Sequence, residues 1–312
     1  MQADPVPDHS KQVDWSSPSK SPTTSETYGN ESARETIEDA HFDKAGERRL
    51  LTKIDFRLIP VLSVLYLLAF IDRTNIANAS VYGLTSDLGA ARGSNAYNTA
   101  LTVFFPLYIL FEIPSNVILK KLKPHVWLPG CMLAFGIITV CQGVVTSMNG
   151  LYATRIFLGL AEAGMFPGCF YLIGMWYKRS EAQKRFTFFF SSTSLAGAFS
   201  GLLAAALSHM DGVGGYKAWR WIFIIEGLLT CICGLAFFFI VPDFPETAGF
   251  LTPAEREFVR RRIEEDQGKS AIEKRITFRD VVGVFKDYKV IIGGFMYFGL
   301  IVPAYCESFP NL

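Results

Sequence analysis

Histidine is scarce in this chain, and no histidine–cysteine group has the spacing of a metal site. The four histidines (His9, His41, His125, His209) are scattered, and the six cysteines (Cys131, Cys141, Cys169, Cys231, Cys233, Cys306) lie in or beside apolar stretches. That distribution argues against a zinc centre or a hydrolase triad and leaves the cysteines as small apolar packing residues. No metal and no cofactor are expected. An excess of charge of one sign is also missing. The net charge is +1, which offers no basic surface to nucleic acid. The stretch after Met1 has no apolar core, so no cleaved secretory leader is expected.

Charge of either sign is sparse, at 19% of residues, whereas half of the chain is hydrophobic and 27 residues are Phe. The charges that are present are bunched between long apolar runs, the pattern of a membrane protein rather than of a soluble core. Six apolar spans are expected at 57–79, 98–119, 126–146, 151–174, 186–207 and 219–241, each near the length of about 20 residues that a bilayer requires. The loops after the second and fourth spans carry Lys120, Lys121, Lys123, Lys178, Arg179, Lys184 and Arg185. The opposite loops carry Arg92 and Lys217, with Arg220 at a span edge. By the positive-inside rule both ends of the six-helix unit are cytoplasmic.

The remaining segments follow from composition. Residues 1–35 are rich in Ser, Thr, Pro and charge and read as a disordered tail. Residues 36–56 read as a polar lead-in helix, 57–241 as the six-helix bundle and 242–286 as a charged cytoplasmic linker. Within the linker, Thr252-Pro253-Ala254-Glu255 is a capping box that opens an amphipathic helix, and a second short helix is expected over Thr277–Lys286. Residues 287–312 begin a seventh span. Pro114 and Pro167 are expected to interrupt the second and fourth spans. Trp127, Trp176, Trp219 and Trp221 sit at span ends as interfacial aromatics do. Gly164–Gly168 and Gly197–Gly201 fit the spacing of closely approaching helices.

The informative residues are the charges inside the spans. Asp72 and Arg73 interrupt the first, and Arg155 and Glu162 the fourth. Each costs about 2.5–3.5 kcal/mol near the centre of a membrane helix, so an ion or substrate pathway is the default inference. Residues seven apart are offset by only about 20° and about 10.5 Å along a helix, which puts Arg155 and Glu162 on one face. The two arginines then sit at similar depth, with the carboxylates slightly deeper. Arginine offers a carboxylate a planar bidentate fork. A buried carboxyl group binds or releases a proton according to whether a guanidinium is free to neutralise it. The competing reading is that Asp72–Arg73 and Arg155–Glu162 are ion pairs that only fix helix packing. Asn75 and Asn78 either reach the cavity or hydrogen-bond between helices. Glu226 is a further cavity candidate, Glu112 a partner for loop lysines, and Phe104 and Tyr108 packing residues.

Four motifs occur in order. Ala69-Phe70-Ile71-Asp72-Arg73-Thr74-Asn75-Ile76-Ala77-Asn78-Ala79 resembles the first-helix signature of the anion–cation symporter family within the major facilitator superfamily. Arg155-Ile156-Phe157-Leu158-Gly159-Leu160-Ala161-Glu162-Ala163-Gly164-Met165-Phe166-Pro167-Gly168 resembles its fourth-helix signature. Ala218-Trp219-Arg220-Trp221-Ile222-Phe223-Ile224-Ile225-Glu226-Gly227 and Pro242-Asp243-Phe244-Pro245-Glu246-Thr247 are similar to the fungal branch of allantoate and vitamin permeases. The loop after the second span, Pro114 to Lys121, departs from the general superfamily form and resembles that branch.

The resemblance implies an all-α membrane protein: the six-helix N-terminal half of a major-facilitator fold plus the start of a seventh helix, its partner being the absent C-terminal half. It implies proton-coupled symport of a small organic anion, such as allantoate or a carboxylate vitamin. No organelle-targeting motif is evident, and the plasma membrane is the expected location. Arg73 and Arg155, with Asn75, would hold the anion, and Asp72 and Glu162 would couple protons. The alternatives are a non-transporting sensor or half-transporter partner, and an intramembrane enzyme, for which no nucleophile–base pair is visible.

Overall fold

The structure, a computed structural model, describes residues 44–91, 94–267, 283 and 287–306, with the side chains of 120, 121 and 300–306 left aside. The expected tail (1–35), the start of the lead-in helix, Arg92 and most of the expected helix over Thr277–Lys286 lie outside the described residues. Those described form helices and no strand. Six helices or helix pairs are long and apolar enough to cross a membrane.

The first helix, α1 (Lys44–Val81), runs unbroken for 38 residues with Pro60 inside it, a rod of about 57 Å. From Lys44 onward the lead-in segment and the first span are therefore one helix. After α2 (Leu84–Asp87), the second span is built from α3 (Ala96–Thr102) and α4 (Phe104–Lys121). Its break falls at Val103, and Pro114 lies within the continuous α4. That break adjoins a close approach: a Cβ on Gly159 would collide with the carbonyl oxygen of Phe104. The third span is α5 (Pro124–Gly143), opened by proline at its first position. The fourth combines α6 (Met148–Glu162) and α7 (Met165–Trp176), and Pro167 occupies the first turn of α7, where its missing N–H costs nothing. The fifth and sixth spans are α8 (Arg179–Ser208) and α9 (Ala218–Ile240). The linker helix α10 (Pro253–Gln267) and the seventh apolar helix α11 (Tyr288–Cys306) follow. The first of these begins as its capping box requires, with Thr252 N–H donating to Glu255 Oε2 (2.8 Å) and Glu255 N–H to Thr252 Oγ1 (3.3 Å).

Helix α9 lies along α5, α1 along α8, and α4 along α6. The α5–α9 contact is made by glycines. A Cβ on Gly227 would sit 2.8 Å from Val140 N and 2.9 Å from the Gly136 carbonyl oxygen, so the two backbones touch. By contrast, Gly197 and Gly201 face open space, and the second small-residue pair expected from the sequence joins no helices here. Gly227→Ala is expected to push α9 off α5 and cost about 1–3 kcal/mol of overpacking; a thermal unfolding midpoint equal to that of the wild type would count against this contact.

The aromatic expectation also needs correction. Trp176 and Trp219 do end their helices, but both are fully buried. Each ties a loop instead: Trp176 Nε1 donates to the Asp243 carbonyl (3.2 Å) and Trp219 Nε1 to Asp87 Oδ2 (3.1 Å). An indole must satisfy its one donor when it leaves water, and these loops supply the acceptor. At the same end of the bundle as Trp219, Asp87 also takes Lys217 (2.7 Å) and Arg220 (3.2 Å). Burial works against its charged form, yet these hydrogen bonds outweigh it and hold the Asp87 carboxyl below its ordinary range.

At the lysine-rich end, ionic contacts fasten the linker helix to the bundle. Lys53 meets Glu255 (2.9 Å), Arg179 N–H donates to Asp266 Oδ2 (2.8 Å), and Arg262 bridges Glu47 (2.8 Å) and Glu181. Val259 and Ile263 bury the apolar face of α10 in the core that contains Leu50, Ile54 and Trp176. Charge at the rim and aliphatics beneath make this linker a docked element.

Candidate functional site

The intramembrane charges meet at the centre of the bundle, where α1 and α6 bring them together. Asp72 and Arg73 are adjacent on α1, so their side chains diverge by about 100° around the helix. They enter different surroundings. Arg73 Nη2 donates to Glu162 Oε1 across the α1–α6 gap at 2.5 Å. Its guanidinium also lies over the rings of Phe104 (5.3 Å) and Tyr108 (5.1 Å) on α4, a cation–π cradle. Phe104 and Tyr108, expected as packing residues, therefore hold the cation as well as filling space. The Arg73 side chain keeps 20% of its surface accessible, against 4% for Glu162. The pair has one open side.

Arg155 stands on the same face of α6 as Glu162, as their spacing requires, and is 2% exposed. It lies in the electrostatic neighbourhood of Glu162, Asp72, Arg73 and Tyr97. Its Nε and Nη2 have no hydrogen-bond partner among the described residues. Asp72, also 2% exposed, turns away from Arg73 toward Glu226 and Thr230 of α9. Asn75 is fully buried and has Glu226 as its polar neighbour. Neither the Thr230–Asp72 nor the Asn75–Glu226 contact meets hydrogen-bond geometry. Asn78 hydrogen-bonds instead to Ser200 of α8 (2.6 Å), which also meets the Thr74 hydroxyl (3.1 Å). Glu112 lies within range of Arg73.

The packing-only reading of the sequence paired Asp72 with Arg73 and Arg155 with Glu162. The structure exchanges partners: Arg73 goes to Glu162, and Arg155 stands between acids with donors to spare. Two side chains were undervalued by sequence reasoning. Glu226 enters as a buried neighbour of Asp72, and Tyr108 as part of the arginine cradle. An acid in the middle of an apolar span was the available signal for Glu226; for Tyr108 none was, because tyrosines are common in such spans. Among the described residues no cluster of three or more metal-ligating side chains occurs.

Comparison with known proteins identifies the family. The family model of the Major Facilitator Superfamily matches residues 62–310. The chain belongs to the Major Facilitator Superfamily. Similar proteins include an uncharacterized transporter of Schizosaccharomyces pombe, 38% identical over 264 residues, which cover 85% of this chain and 52% of the relative. The MFS-type transporter cnsO of Penicillium expansum is 38% identical over 254 residues, covering 80% and 49%. A protein of Agrobacterium vitis designated "Putative tartrate transporter" is 32% identical over 253 residues, covering 81% and 55%. The chain thus spans about half the length of the curated relatives it matches. Among solved structures, a bacterial homologue of the human lysosomal transporter Spinster, inward-facing and unoccupied, superposes with a TM-score of 0.53 at 19% identity, over 63% of this chain and 44% of that one. At that identity the likeness speaks to the fold of this superfamily member alone.

Proposed function

We propose that this chain is the first half of a secondary transporter that carries a small organic anion together with a proton, of the anion–cation symporter type and of the allantoate and vitamin permease branch. The observation that carries the reading is the Arg73–Glu162 pair, a guanidinium bonded across two helices yet open on one side, with the underused donors of Arg155 nearby. A carboxylate entering from the open side competes with Glu162 for Arg73 and takes the free N–H groups of Arg155, with the amide of the buried Asn75 as a further donor. Deprived of its guanidinium, Glu162 is an uncompensated buried charge, which a proton neutralises. Release of the anion lets Glu162 return to Arg73 and give up the proton. Anion and proton movements are thereby tied through one guanidinium.

The relatives named as transporters support the class of activity. The tartrate designation of the Agrobacterium vitis relative supports a carboxylate substrate. Alternating access needs a second wall, and the half-length match supports one supplied by a further six helices. The second and fifth spans are the least covered of the six, which suits faces that meet such a half. Basic loops at the end carrying α10 support a cytoplasmic N-terminus and linker, and we place the protein in the plasma membrane. The test is proton-dependent uptake of candidate carboxylates by the full-length protein in vesicles. Arg155→Ala is expected to reduce uptake at least a hundredfold, on the scale of about 3 kcal/mol for a lost buried charge contact. Uptake that survives Arg155→Ala would remove the anion site proposed here.

A further inference from the structure

The bundle interior holds three acids, Asp72, Glu162 and Glu226, and two guanidiniums, Arg73 and Arg155. One negative charge is in excess, and an unbalanced charge withdrawn from water costs several kcal/mol. The excess has a location. Arg73 is engaged by Glu162; of Asp72 and Glu226, each 2% exposed, Asp72 is the one that lies near Arg155. All four oxygens of these two carboxylates, and both amide atoms of the fully buried Asn75, lack a hydrogen-bond partner among the described residues. Thr230 lies one helical turn beyond Glu226 on α9, on the same face, and is the polar neighbour of Asp72.

We propose that Asp72 and Glu226, with Asn75 and Thr230, form a binding site for one monovalent cation, a proton or a sodium ion, between α1 and α9. Carboxylate, amide carbonyl and hydroxyl oxygens are the donors that hard cations take, and a single positive charge restores neutrality. Among the described residues of the surrounding elements, no cation competes besides the two arginines. On α1 the neighbour is Arg73, itself within reach of Tyr66, Tyr108 and Glu112. On α6 they are Arg155 and Glu162, and on α9 Cys231. The buried positions of α5 and α8 are uncharged, Thr139, Gln142, Ser192 and Ser200 being their polar members. The inference rests on the cation-coupled reading above, but it gives a role to Glu226 and to the α1–α9 contact, which that reading leaves unused. Its test needs neither an anion nor flux, so either can fail alone.

The experiment uses the purified 312-residue chain in lipid nanodiscs. Infrared difference spectra are recorded at neutral pH in choline buffer, and thermal unfolding is followed across a sodium titration with choline as the control. If the ion is a proton, one protonated-carboxyl band is present without sodium; Asp72→Asn or Glu226→Gln removes it and Glu112→Gln leaves it. If the ion is sodium, it raises the unfolding midpoint saturably where choline does not, and Glu226→Gln abolishes the effect. Thr230→Val keeps both carboxylates and serves if the acid variants fail to fold: the band shifts, or apparent sodium affinity falls about tenfold. Absence of both band and sodium response, or a response unchanged in Glu226→Gln and Thr230→Val alike, overturns the assignment.

Discussion

Glu162→Leu is expected to destabilise the bundle by about 3–5 kcal/mol, because it leaves the Arg73 guanidinium withdrawn from water without its counter-charge. The cradle of Phe104 and Tyr108 offsets only part of that, a cation–π contact being worth about 0.5–2 kcal/mol. Removing both charges, as in Arg73→Met combined with Glu162→Leu, is expected to return most of the lost stability, since an apolar pair of similar volume fills the gap between α1 and α6. Chemical or thermal unfolding of the two single variants and the double variant closes the cycle. A double variant no more stable than Glu162→Leu would show that the 2.5 Å contact is not the interaction that counts. The same double variant, introduced into the full-length protein, separates the two readings of the pair. A pair that only fixes packing allows the recovered protein to transport, whereas a substrate-binding guanidinium does not.

The second large effect lies outside the membrane. Arg262 is 6% exposed and bridges Glu47 of α1 and Glu181 of α8 from its place on α10. Arg262→Ala leaves two carboxylates facing one another at a half-buried junction, and a loss of about 3–5 kcal/mol is expected. The linker helix should then leave the bundle more often. Proteolysis within 253–267 under native conditions would rise about a hundredfold or more, following the opening equilibrium. Arg262→Lys is expected to recover only part, because an ammonium cannot span both carboxylates as the guanidinium fork does. Arg261, with a side chain 70% exposed and its Glu265 partner at 3.7 Å, supplies the control. Its alanine variant should change little, since exposed pairs of this kind contribute about 0–1 kcal/mol. Equal protease sensitivity of the Arg261 and Arg262 variants would mean that the Arg262 bridge contributes little to holding α10 on the bundle.

These two clusters differ in how far they can be read from residue order. The capping box at Thr252–Glu255 is local, so its two reciprocal hydrogen bonds follow from a four-residue pattern. The partners of Arg262 are 215 and 81 residues away, and no pattern in the linker announces them. Pro114 and Pro167 show the limit of local signals within the spans. Pro114 sits inside an unbroken α4, whereas the fourth span does break at Ala163–Gly164, just before Pro167, at the carbonyl that a proline there leaves without a donor. The break of the second span lies instead beside the Gly159–Phe104 contact.

By itself the sequence determined the spans and which ionisable residues lie deep within the bundle. Each of these depends on composition over a short window or on the fixed 100° step of a helix. Only the tertiary structure decided who faces whom: Arg73 with Glu162 rather than Asp72, Asp72 with Glu226, and tryptophans turned inward to loop acceptors. The physical reason is that a helix fixes the direction of a side chain but not the neighbour it meets. That neighbour depends on glycine contacts such as Gly227 against Gly136 and Gly159 against Phe104, which bring distant segments to one depth.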